Sequence, residues 1–327
     1  MPDATIRDVA RKANVSVASV SRALNGLENV SDDTRARVAE AVRELGYVPH
    51  AGARSLSLAR THAVGVVLPD LHGEFFSEIV RGMDREAGRR GYLLLLSTLH
   101  PKHGTSVLGA LRGRVDGLIV MAPHLDADEL GAALPKALPV VLINTRGISG
   151  GHPAIHIGNA AGVSAVMDHL VGLGRSRFVH IAGPKDNIDA QERCEAFCEA
   201  ARKAGCEFRI VNGDFSEESG EAAVAELLDQ GRDFDAIFGS NDNMAIGALQ
   251  ALRAASVAVP EDVAIAGFDD IPLARHVGLT TVRVRIAELG ERAIACLIDG
   301  LESKQLDYAE ENHEPELVVR STTQRES

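Results

Sequence analysis

The chain has 327 residues, enough for two or three folding units, and a net charge of −12, which by itself argues against nucleic-acid binding. The charge is uneven, however: residues 1–60 hold nine Lys or Arg and seven Asp or Glu, a balance of +2 that leaves −14 for the remainder. A mildly basic head on an acidic body would confine non-specific attraction to DNA to the head. No apolar run reaches membrane-spanning length, none resembles a signal peptide, and the four cysteines show no disulfide pattern, so we expect a cytoplasmic protein with no membrane partner.

Residues 5–25 predict a helix, a tight turn and a second helix. Thr5 is a candidate N-cap, with Asp8 at the position where a capping box usually has Glu or Gln. Asn14 suits the turn because it tolerates the left-handed conformation, and Ser16 suits the N-cap of the second helix. The predicted core stripes are Ile6, Val9, Ala10 and Ala13, then Val20, Ala23 and Leu24, and on a third helix Val38, Ala41, Val42 and Leu45.

The second helix keeps Val17, Ala18, Ser21 and Arg22 on or near its outer face, which is the layout of a helix-turn-helix DNA reader. We expect Val17, Ala18 and Arg22 to face bases, since Arg suits guanine and small apolar groups suit the thymine methyl. The residues expected at phosphates are Ser16, Ser21, Asn25 and Thr34, and Thr5 completes the predicted DNA-binding set of the head. The alternative is a small amphipathic bundle with no DNA role.

From residue 62 the pattern changes to strands alternating with helices, which predicts parallel sheets wrapped by helices. The predicted strands are 63–68, 92–96, 118–121, 140–143, 154–157, 178–182 and 263–266, with others near Ile210 and Ile237, and the clearest helices are 76–88, 160–173 and 192–204. The length requires two sheets. Open sheets of this kind bind ligands at the carboxyl ends of their strands, so we expect a pocket between two facing lobes.

Candidate ligand-binding residues follow these strands. They are His72, Glu74, Phe75, Phe76, Met121, His124, Asn144, Arg193, Asn241, Asp242, Phe268 and Asp269. A Phe could stack on a sugar or base face, and Arg, Asn and Asp supply the mixed donors and acceptors that a polyol needs. The competing interpretation is that each Phe belongs to the core and each strand-end Asp caps a helix. His72, His124 and Arg146 would suit an acidic effector.

The sequence contains no constellation that indicates catalysis. Gly147-Ile148-Ser149-Gly150-Gly151 formally matches G-x-S-x-G, but Pro153 and a strand follow it where a nucleophile elbow needs a helix. Neither Walker A nor G-x-G-x-x-G is present, and Cys194 and Cys198 lack further ligands at metal spacing. We therefore expect no enzyme activity, no cofactor and no metal.

The first fifty residues contain a specific signature that extends over many positions. Thr5-Ile6-x-Asp8-Val9-Ala10, Val15-Ser16, Val20-Ser21-Arg22, Leu24-Asn25-Gly26, Val30-Ser31-x-x-Thr34-Arg35 and Leu45-Gly46-Tyr47-x-Pro49 resemble the head of the lactose/galactose repressor family of bacterial transcription regulators. The resemblance implies that residues 50–61 form a hinge helix, in which Ala53 and Leu56 meet the minor groove and Leu56 is the wedge that kinks DNA. Gly52 departs from the larger residue usual in that helix.

The body resembles the periplasmic-binding-protein-like core of the same family. The matching residues are Gly65-Val66-Val67-x-Pro69-Asp70, Phe75-Phe76, Val115-Asp116-Gly117, Gly183-Pro184, Gln191-Glu192-Arg193, Asn241-Asp242-x-Met244-Ala245-x-Gly247 and Gly267-Phe268-Asp269-Asp270. Arg193 matches the family's effector-binding arginine. Gly73-Glu74 replaces the Asn-Pro that many members have before the Phe pair.

The resemblance implies three parts: a helix-turn-helix domain at 1–49, the hinge at 50–61, and an effector-binding and dimerisation domain at 62–327. Lobe one would span about 62–157 plus 284–315, and lobe two about 158–283 plus the C-terminal segment. The implied function is a homodimeric regulator, expected to be a repressor, whose affinity for double-stranded operator DNA is controlled by a sugar, sugar acid or sugar phosphate. A solute-binding protein of a transport system would share the body but lack the head. The sequence leaves open the effector, the polarity of the switch and the operator.

Overall fold

The computed structural model describes residues 4–26, 29–48, 60–99, 105–145, 151–306 and 310–324. Its two compact units are Met1–His62 with Gly113–Asp116, and Ala63–Arg112 with Gly117–Ser327. Across the described ranges, no helix is both long enough and apolar enough to cross a membrane.

Two groups of predicted residues fall outside these ranges. The first group is most of the predicted hinge, including Gly52, Ala53 and Leu56. The second group is Arg146 with the loop 147–150. The interpretations of these residues stay predictions.

Three helices form the head: α1 (Ile6–Ala13), α2 (Val17–Leu24) and α3 (Asp32–Leu45). The predicted capping pair is present at the start of α1. The Asp8 carboxylate accepts hydrogen bonds from the Thr5 hydroxyl at 2.6 Å and the Thr5 backbone N–H at 3.0 Å. These hydrogen bonds lower the pKa of Asp8, and the ionised carboxylate lies in the first turn, where the helix dipole favours negative charge.

The turn between α1 and α2 is formed as the sequence predicts. Asn14 adopts the left-handed conformation, with φ 52° and ψ 50°, and its N–H caps the end of α1. The Ser16 hydroxyl then accepts from the Ser19 N–H at 3.0 Å and starts α2. Half-buried Val15 packs against the head core, whose buried members are Val9, Ala10, Ala13, Val20, Val38 and Ala41. The two helices are therefore held at a fixed angle by one small shared core.

The body contains a six-stranded parallel sheet ordered β11-β5-β4-β3-β1-β2. Its strands are β1 (Ala63–Leu68), β2 (Leu93–Thr98), β3 (Gly117–Met121), β4 (Val140–Ile143), β5 (Ala154–Ile157) and β11 (Glu310–His313). Its helices are α4 (Glu74–Arg89), α5 (Ser106–Ala110), α6 (Ala127–Ala133) and α12 (Ile286–Ser303). We call this sheet and these helices lobe one.

Helices α4 and α12 of lobe one approach each other at two glycines. A Cβ atom on Gly82 of α4 would overlap the carbonyl of Ala287, and one on Gly290 of α12 would overlap the carbonyl of Ile79. Each glycine thus accepts the backbone of the opposite helix, an approach that any side chain would prevent. This contact explains why both positions are glycine within otherwise regular helices.

Lobe two contains a four-stranded parallel sheet ordered β7-β6-β8-β9. Its strands are β6 (Arg177–Ala182), β7 (Glu207–Asn212), β8 (Ala236–Gly239) and β9 (Ala264–Ala266), and its helices are α7 (Asn159–Gly172), α8 (Ile188–Ala204), α9 (Glu217–Asp229), α10 (Asp242–Ala254) and α11 (Pro272–Val277). A small antiparallel pair, β10 (Thr281–Arg283) with β12 (Glu316–Val318), adjoins it.

The described chain passes between the lobes at three short crossovers: at Gly158, at 284–285 and at 314–315. Two of them touch, because the Gly158 N–H donates to the His313 carbonyl at 3.1 Å. A Cβ atom on Gly158 would lie only 3.0 Å from Pro315 Cδ, which favours glycine there.

The predicted fold class, a helical head with two helix-wrapped parallel sheets, is confirmed. The element bounds differ slightly from the predicted ones. Helix α8 begins at Ile188 rather than at residue 192, because the Asn187 side chain accepts from the Ala190 N–H at 3.1 Å and caps the helix earlier. Strand β2 runs two residues further than predicted, since Ser97 and Thr98 continue the pairing with β1.

A fully buried histidine lies in the core of lobe two. His180 of β6 stacks on Phe197 and Phe238, with ring centroids 4.7 and 5.1 Å away. Its Nδ1 donates to the Phe238 carbonyl at 3.0 Å, and its Nε2 has no partner among the described residues. Burial lowers the pKa of His180 from 6.5 to about 4, so the folded chain holds the ring neutral.

This depressed pKa predicts a loss of stability in acid. In the unfolded chain His180 is protonated below pH 6.5, whereas in the folded chain it is protonated only below about pH 4. The free energy of unfolding should fall through that window, by about 3 kcal/mol at its end, at 1.36 kcal/mol per pKa unit. Denaturant unfolding followed by circular dichroism at a series of pH values measures the loss.

The His180→Phe variant keeps the aromatic stack and should lose this part of the pH dependence. His276→Gln, a substitution of an exposed histidine, should follow the parent curve. If His180→Phe and the parent chain lose stability in parallel between pH 6.5 and 4, the assignment to His180 is wrong.

Candidate functional site

The outer face of α2 presents three of the predicted base-reading residues to solvent. Val17 is 42% exposed, although it is a large apolar side chain, and Ala18 and Arg22 are also exposed. Ser21 is half-buried beside them. An exposed valine at the first position of a helix contributes nothing to the head core, so this face is available to a partner surface.

Arg22 differs from several basic side chains of the head in its lack of a described ion-pair partner. Three other basic side chains are paired within the head: Arg11 with Asp8, Lys12 with Glu44, and Arg37 with Asp33. Arg22 forms no ion pair with any described residue. As far as the described residues go, its guanidinium can donate to the phosphate or guanine edge of a nucleic acid, as a recognition-helix arginine does.

The remaining predicted DNA contacts of the head lie near helix starts. Ser16 and Thr34 belong to capping networks, the Thr34 N–H being 3.4 Å from the Ser31 hydroxyl. Thr5 is exposed, but its hydroxyl already donates to Asp8. Asn25 ends α2 and is half-buried. These side chains share the α1–α2–α3 scaffold with Arg22, and their contact with DNA stays a prediction.

In the body, a cavity of about 290 Å³ lies between the lobes at the carboxyl ends of the strands. Eight of the predicted ligand-binding residues line it: His72, Phe75, Phe76, Met121, Asn144, Arg193, Asn241 and Asp269. Lobe one contributes the first five and lobe two the last three, so a ligand in this cavity would touch both lobes. We call it the effector cavity.

Arg193 is the most constrained side chain of the effector cavity. It is 4% exposed, its Nε donates to Asn159 Oδ1 at 2.8 Å and its Nη1 donates to the Ser240 carbonyl at 2.7 Å. Its Cζ lies 3.8 Å from the centre of the Phe268 ring, a cation–π contact. The guanidinium plane is thus fixed before any ligand arrives, which suits a rigid donor.

Asp269 lies beside this guanidinium, with Oδ1 3.6 Å from Arg193 Nη1. Burial raises the pKa of Asp269 to about 7, while Arg193 opposes the rise and Asp189 adds to it. Asp269 Oδ1 has no hydrogen-bond donor among the described residues. A buried acceptor of this kind costs about 1–3 kcal/mol until a donor reaches it, so a ligand hydroxyl would be stabilised there.

Asp189 is a cavity residue that the sequence analysis missed. It is buried at the start of α8, where its Oδ1 accepts from Asn159 at 2.8 Å and its Oδ2 accepts from Asn144 at 3.4 Å. Burial raises the pKa of Asp189, against the effect of Arg193. Asn144 belongs to lobe one, so this carboxylate joins the two lobes.

Four predicted ligand residues do not line the cavity. Phe268 is completely buried beneath Arg193, and Asp242 is buried where its carboxylate accepts from Thr281 and from the Ile271 N–H. Burial, reinforced by Asp269, raises the pKa of Asp242 well above its usual value. Glu74 instead accepts from the Leu273 N–H of lobe two at 2.9 Å. His124 lies outside the lining, one residue beyond Pro123, which does line it.

The other lining residues that the sequence analysis missed follow strands as well. They include Asp70 after β1, Asn187 after β6, Asp214, Phe215 and Ser216 after β7, and Asn243 after β8. The strand-end rule applied to β6 and β7 would have found most of them, but β7 was predicted only as a strand near Ile210, without a defined end.

The described residues contain no group of three or more His, Cys, Asp or Glu that could hold a metal ion. Cys194 and Cys198 lie one turn apart on α8 as free thiols. Burial raises the pKa of the Cys194 thiol to about 11, aided by Cys198, so it stays protonated at neutral pH.

Comparison with known proteins agrees with both parts of this geometry. Residues 5–50 match the model for bacterial regulatory proteins of the lacI family, and residues 167–323 match that for a periplasmic binding protein-like domain. The HTH-type transcriptional repressor CytR of Escherichia coli K12 is 32% identical over 98% of this chain and 96% of its own. The chain belongs to the lacI family.

Two further relatives support this assignment. The ribose operon repressor of Escherichia coli K12 is 34% identical over 98% of this chain and 99% of its own. The crystal structure of the lac repressor dimer bound to operator and the anti-inducer ONPF superposes with a TM-score of 0.89 at 27% identity, covering 98% and 99% of the two chains. As a lacI-family member, the chain is a DNA-binding transcription regulator, and the curated relatives named here are repressors rather than enzymes.

The exposed position of Arg22 on α2 leads to a prediction about one substitution. Arg22→Ala should weaken binding to a duplex selected by the parent chain from a random pool by about 1–3 kcal/mol, because it removes a base-edge or phosphate donor. Fluorescence anisotropy measures the affinity. Arg43→Ala, a change of equal charge in the last turn of α3, should leave the affinity within about twofold, as expected for a surface charge away from the contact. Equal affinity of Arg22→Ala and the parent would contradict the docking of α2.

Proposed function

We propose that the chain is a homodimeric repressor that acts in the cytoplasm, binds operator DNA through α2, and responds to a sugar held in the effector cavity without catalysing a reaction. The observation that carries the sugar assignment is the buried Arg193–Asp269 pair, in which a fixed guanidinium donor lies beside a carboxylate oxygen that has no donor among the described residues. Adjacent hydroxyls of a sugar can accept from one and donate to the other. Effector binding would then bias the lobe angle and, through it, operator affinity.

The charges of the effector cavity favour a neutral sugar over a sugar acid or sugar phosphate. Its described lining contains four carboxylates, at Asp70, Asp189, Asp214 and Asp269, against the single guanidinium of Arg193. An anionic ligand would meet more repulsion than attraction there. Of the two described residues that suited an acidic effector in the sequence, His72 lines the cavity and His124 does not.

The apolar side of the cavity suits a sugar ring. Phe75 and Phe76 of lobe one pack edge to face, with centroids 5.4 Å apart, and Phe215 of lobe two also lines the cavity. Aromatic faces cover the C–H face of a sugar while its hydroxyls reach the polar groups. The volume of about 290 Å³ lies at the lower end of small-molecule pockets and favours a monosaccharide.

We propose strand β2 as part of the dimer surface. It forms one edge of the lobe-one sheet, and its Leu93 and Leu96 are 71% and 44% exposed. The edge strand of lobe two, β7, has charged Glu207 and Arg209 in its sequence, which protect an edge from pairing. Strand β2 has no such charge among its four consecutive leucines, so an apolar partner surface is favoured there.

A panel of sugars tests the proposed function. We expect a neutral sugar, with ribose as the first probe, to raise the Tm of the full chain and to change its affinity for the selected duplex, and we expect the aldonic acid of the same sugar to do neither. Thermal shift and fluorescence anisotropy are the measurements. Stabilisation by sugar acids alone would contradict the neutral-sugar assignment, and failure to bind any duplex would contradict the regulator.

The raised pKa of Asp269 predicts how sugar binding depends on pH. The ionised carboxylate accepts through both oxygens and more strongly than the protonated group, in which one oxygen becomes a donor. Affinity for a neutral sugar should therefore fall about tenfold from pH 8 to pH 6 as the group with a pKa of about 7 is protonated. Asp269→Asn should bind weakly with no such dependence. Asp214→Asn should keep the parent profile, because hydrogen bonds from Ser216 lower the pKa of Asp214. A flat profile in the parent chain would exclude Asp269 as the acceptor.

The exposure of Leu93 on β2 leads to a prediction about dimer formation. Leu93→Asp should convert the dimer into monomers, because it places a charge in an apolar interface, and should lower operator affinity by about 10²–10⁴-fold through loss of the paired heads. Analytical ultracentrifugation and anisotropy measure the two effects. Ile210→Asp, on the edge strand β7 and 44% exposed in the parent chain, should remain dimeric. A dimeric Leu93→Asp would place the interface elsewhere.

A further inference from the structure

A second and larger cavity lies between the lobes, on the other side of Asp189 and Asn144. Its volume is about 900 Å³, roughly three times that of the effector cavity, whose volume is about 290 Å³. It is bounded by the ends of β4 and β5, the first turns of α7 and α8, and the crossovers at Gly158 and Pro315. Nothing in the sugar-binding argument uses this space.

The described lining of this cavity is strongly acidic, and His156 is its one basic side chain. It contains the carboxylates of Asp189, Glu192, Glu195, Glu310 and Glu314 and neither lysine nor arginine. None of the five forms an ion pair with a described residue. Carboxylates nearby behave differently: Glu311, one residue after Glu310, is paired with Arg292. Charges of one sign that have no ion-pair partner among the described residues concentrate counter-ions of the opposite sign on a concave surface.

A second observation at the same cavity points to a ligand. Thr145 lines it and is only 3% exposed, yet its hydroxyl has no hydrogen-bond partner among the described residues. A buried hydroxyl left without a partner costs about 1–3 kcal/mol. A ligand that donates a hydrogen bond would remove this cost, and an ammonium group is such a donor.

The carboxylates do not form a metal-binding cluster, and this bears on which cation fits. Across the described part of the chain, no three acidic or histidine side chains converge closely enough to hold a metal ion. The carboxylates instead come from two segments, α8 of lobe two and residues 310–314 of lobe one. Carboxylates from two segments match several ammonium groups joined by an apolar chain.

We propose that this cavity binds an aliphatic polyamine. One ammonium group lies near Thr145 and Asp189, and the others pair with Glu192 or Glu195 of lobe two and with Glu310 or Glu314 of lobe one. The ligand spans two crossovers, because Gly158 and Pro315 both line the site. It therefore braces the segments about which the lobes turn.

Such a ligand would be coupled to the effector cavity through one hydrogen-bond network. Asp189 and Asn144 line both cavities. Asn159 donates to Asp189 and Glu192, each at 2.8 Å, and accepts from Arg193 at 2.8 Å. A cation beside Asp189 and Glu192 changes the charge that this network presents to Arg193. Any effect on sugar affinity must be matched by an equal effect of sugar on polyamine affinity, and this coupling alone rests on the proposed function.

Calorimetric titration of the full chain with spermidine at low ionic strength tests the site. We expect saturable binding that Glu310→Gln/Glu314→Gln weakens about tenfold, since two exposed ion pairs are lost. Glu221→Gln/Glu226→Gln removes the same charge from the exposed face of α9 and should bind as the parent does. Equal weakening in both double variants, or the absence of saturable binding, would mean bulk counter-ion attraction and would overturn the proposal.

Thr145→Val tests the inner end of the site with a nearly isosteric change. It should weaken spermidine binding about fivefold, since the hydroxyl can no longer accept from an ammonium group. It should leave the Tm of the free chain equal or higher, because it removes an unpaired buried hydroxyl. Unchanged spermidine affinity in Thr145→Val would overturn the placement. Neither titration requires DNA or sugar, so failure here would leave the proposed function standing.

Discussion

The buried guanidinium of Arg193 is the constraint on which the ligand-binding body depends. An ionised group in the interior needs a full set of acceptors, and Arg193 takes them from the first residue of α7, from the end of β8 and from the loop after β9. These segments are far apart in the chain and meet at one side chain. The Phe268 ring fills the face below. The arginine thus fixes the floor of the effector cavity and, through Asn159, the wall that separates it from the second cavity.

The sequence predicted the head almost completely, because local chemistry decides it. Caps at Thr5, Ser16 and Ser31, a left-handed residue at Asn14 and apolar residues at helical spacing each act within one turn, and the structure has them all. The alternation of strands and helices in the body was predicted equally well. What could not be read was the strand order, since β11 joins the lobe-one sheet from about 150 residues beyond β5.

The candidate site was predicted in part. The rule that ligands meet strand ends found eight residues of the cavity, but it could not separate a side chain that points into the cavity from one that supports it. Phe268 and Asp242 follow strands as Asp269 and Asn241 do, yet they are buried under Arg193 and against Thr281. Asp189 was missed because its role depends on Asn144 and Asn159, two partners that only the folded chain brings within hydrogen-bond distance.

The three short crossovers limit what the body can signal. Each lobe is stiff, lobe one because α4 and α12 interlock at Gly82 and Gly290 and lobe two because its polar groups converge on Arg193. For two stiff bodies joined by three connections, two of them bonded to each other at Gly158 and His313, we expect rotation about these connections to be the main relative motion. Every ligand, whatever its chemistry, acts on that one coordinate. The body can therefore signal the extent to which its two lobes have closed, but it cannot signal the identity of the ligand that closed them.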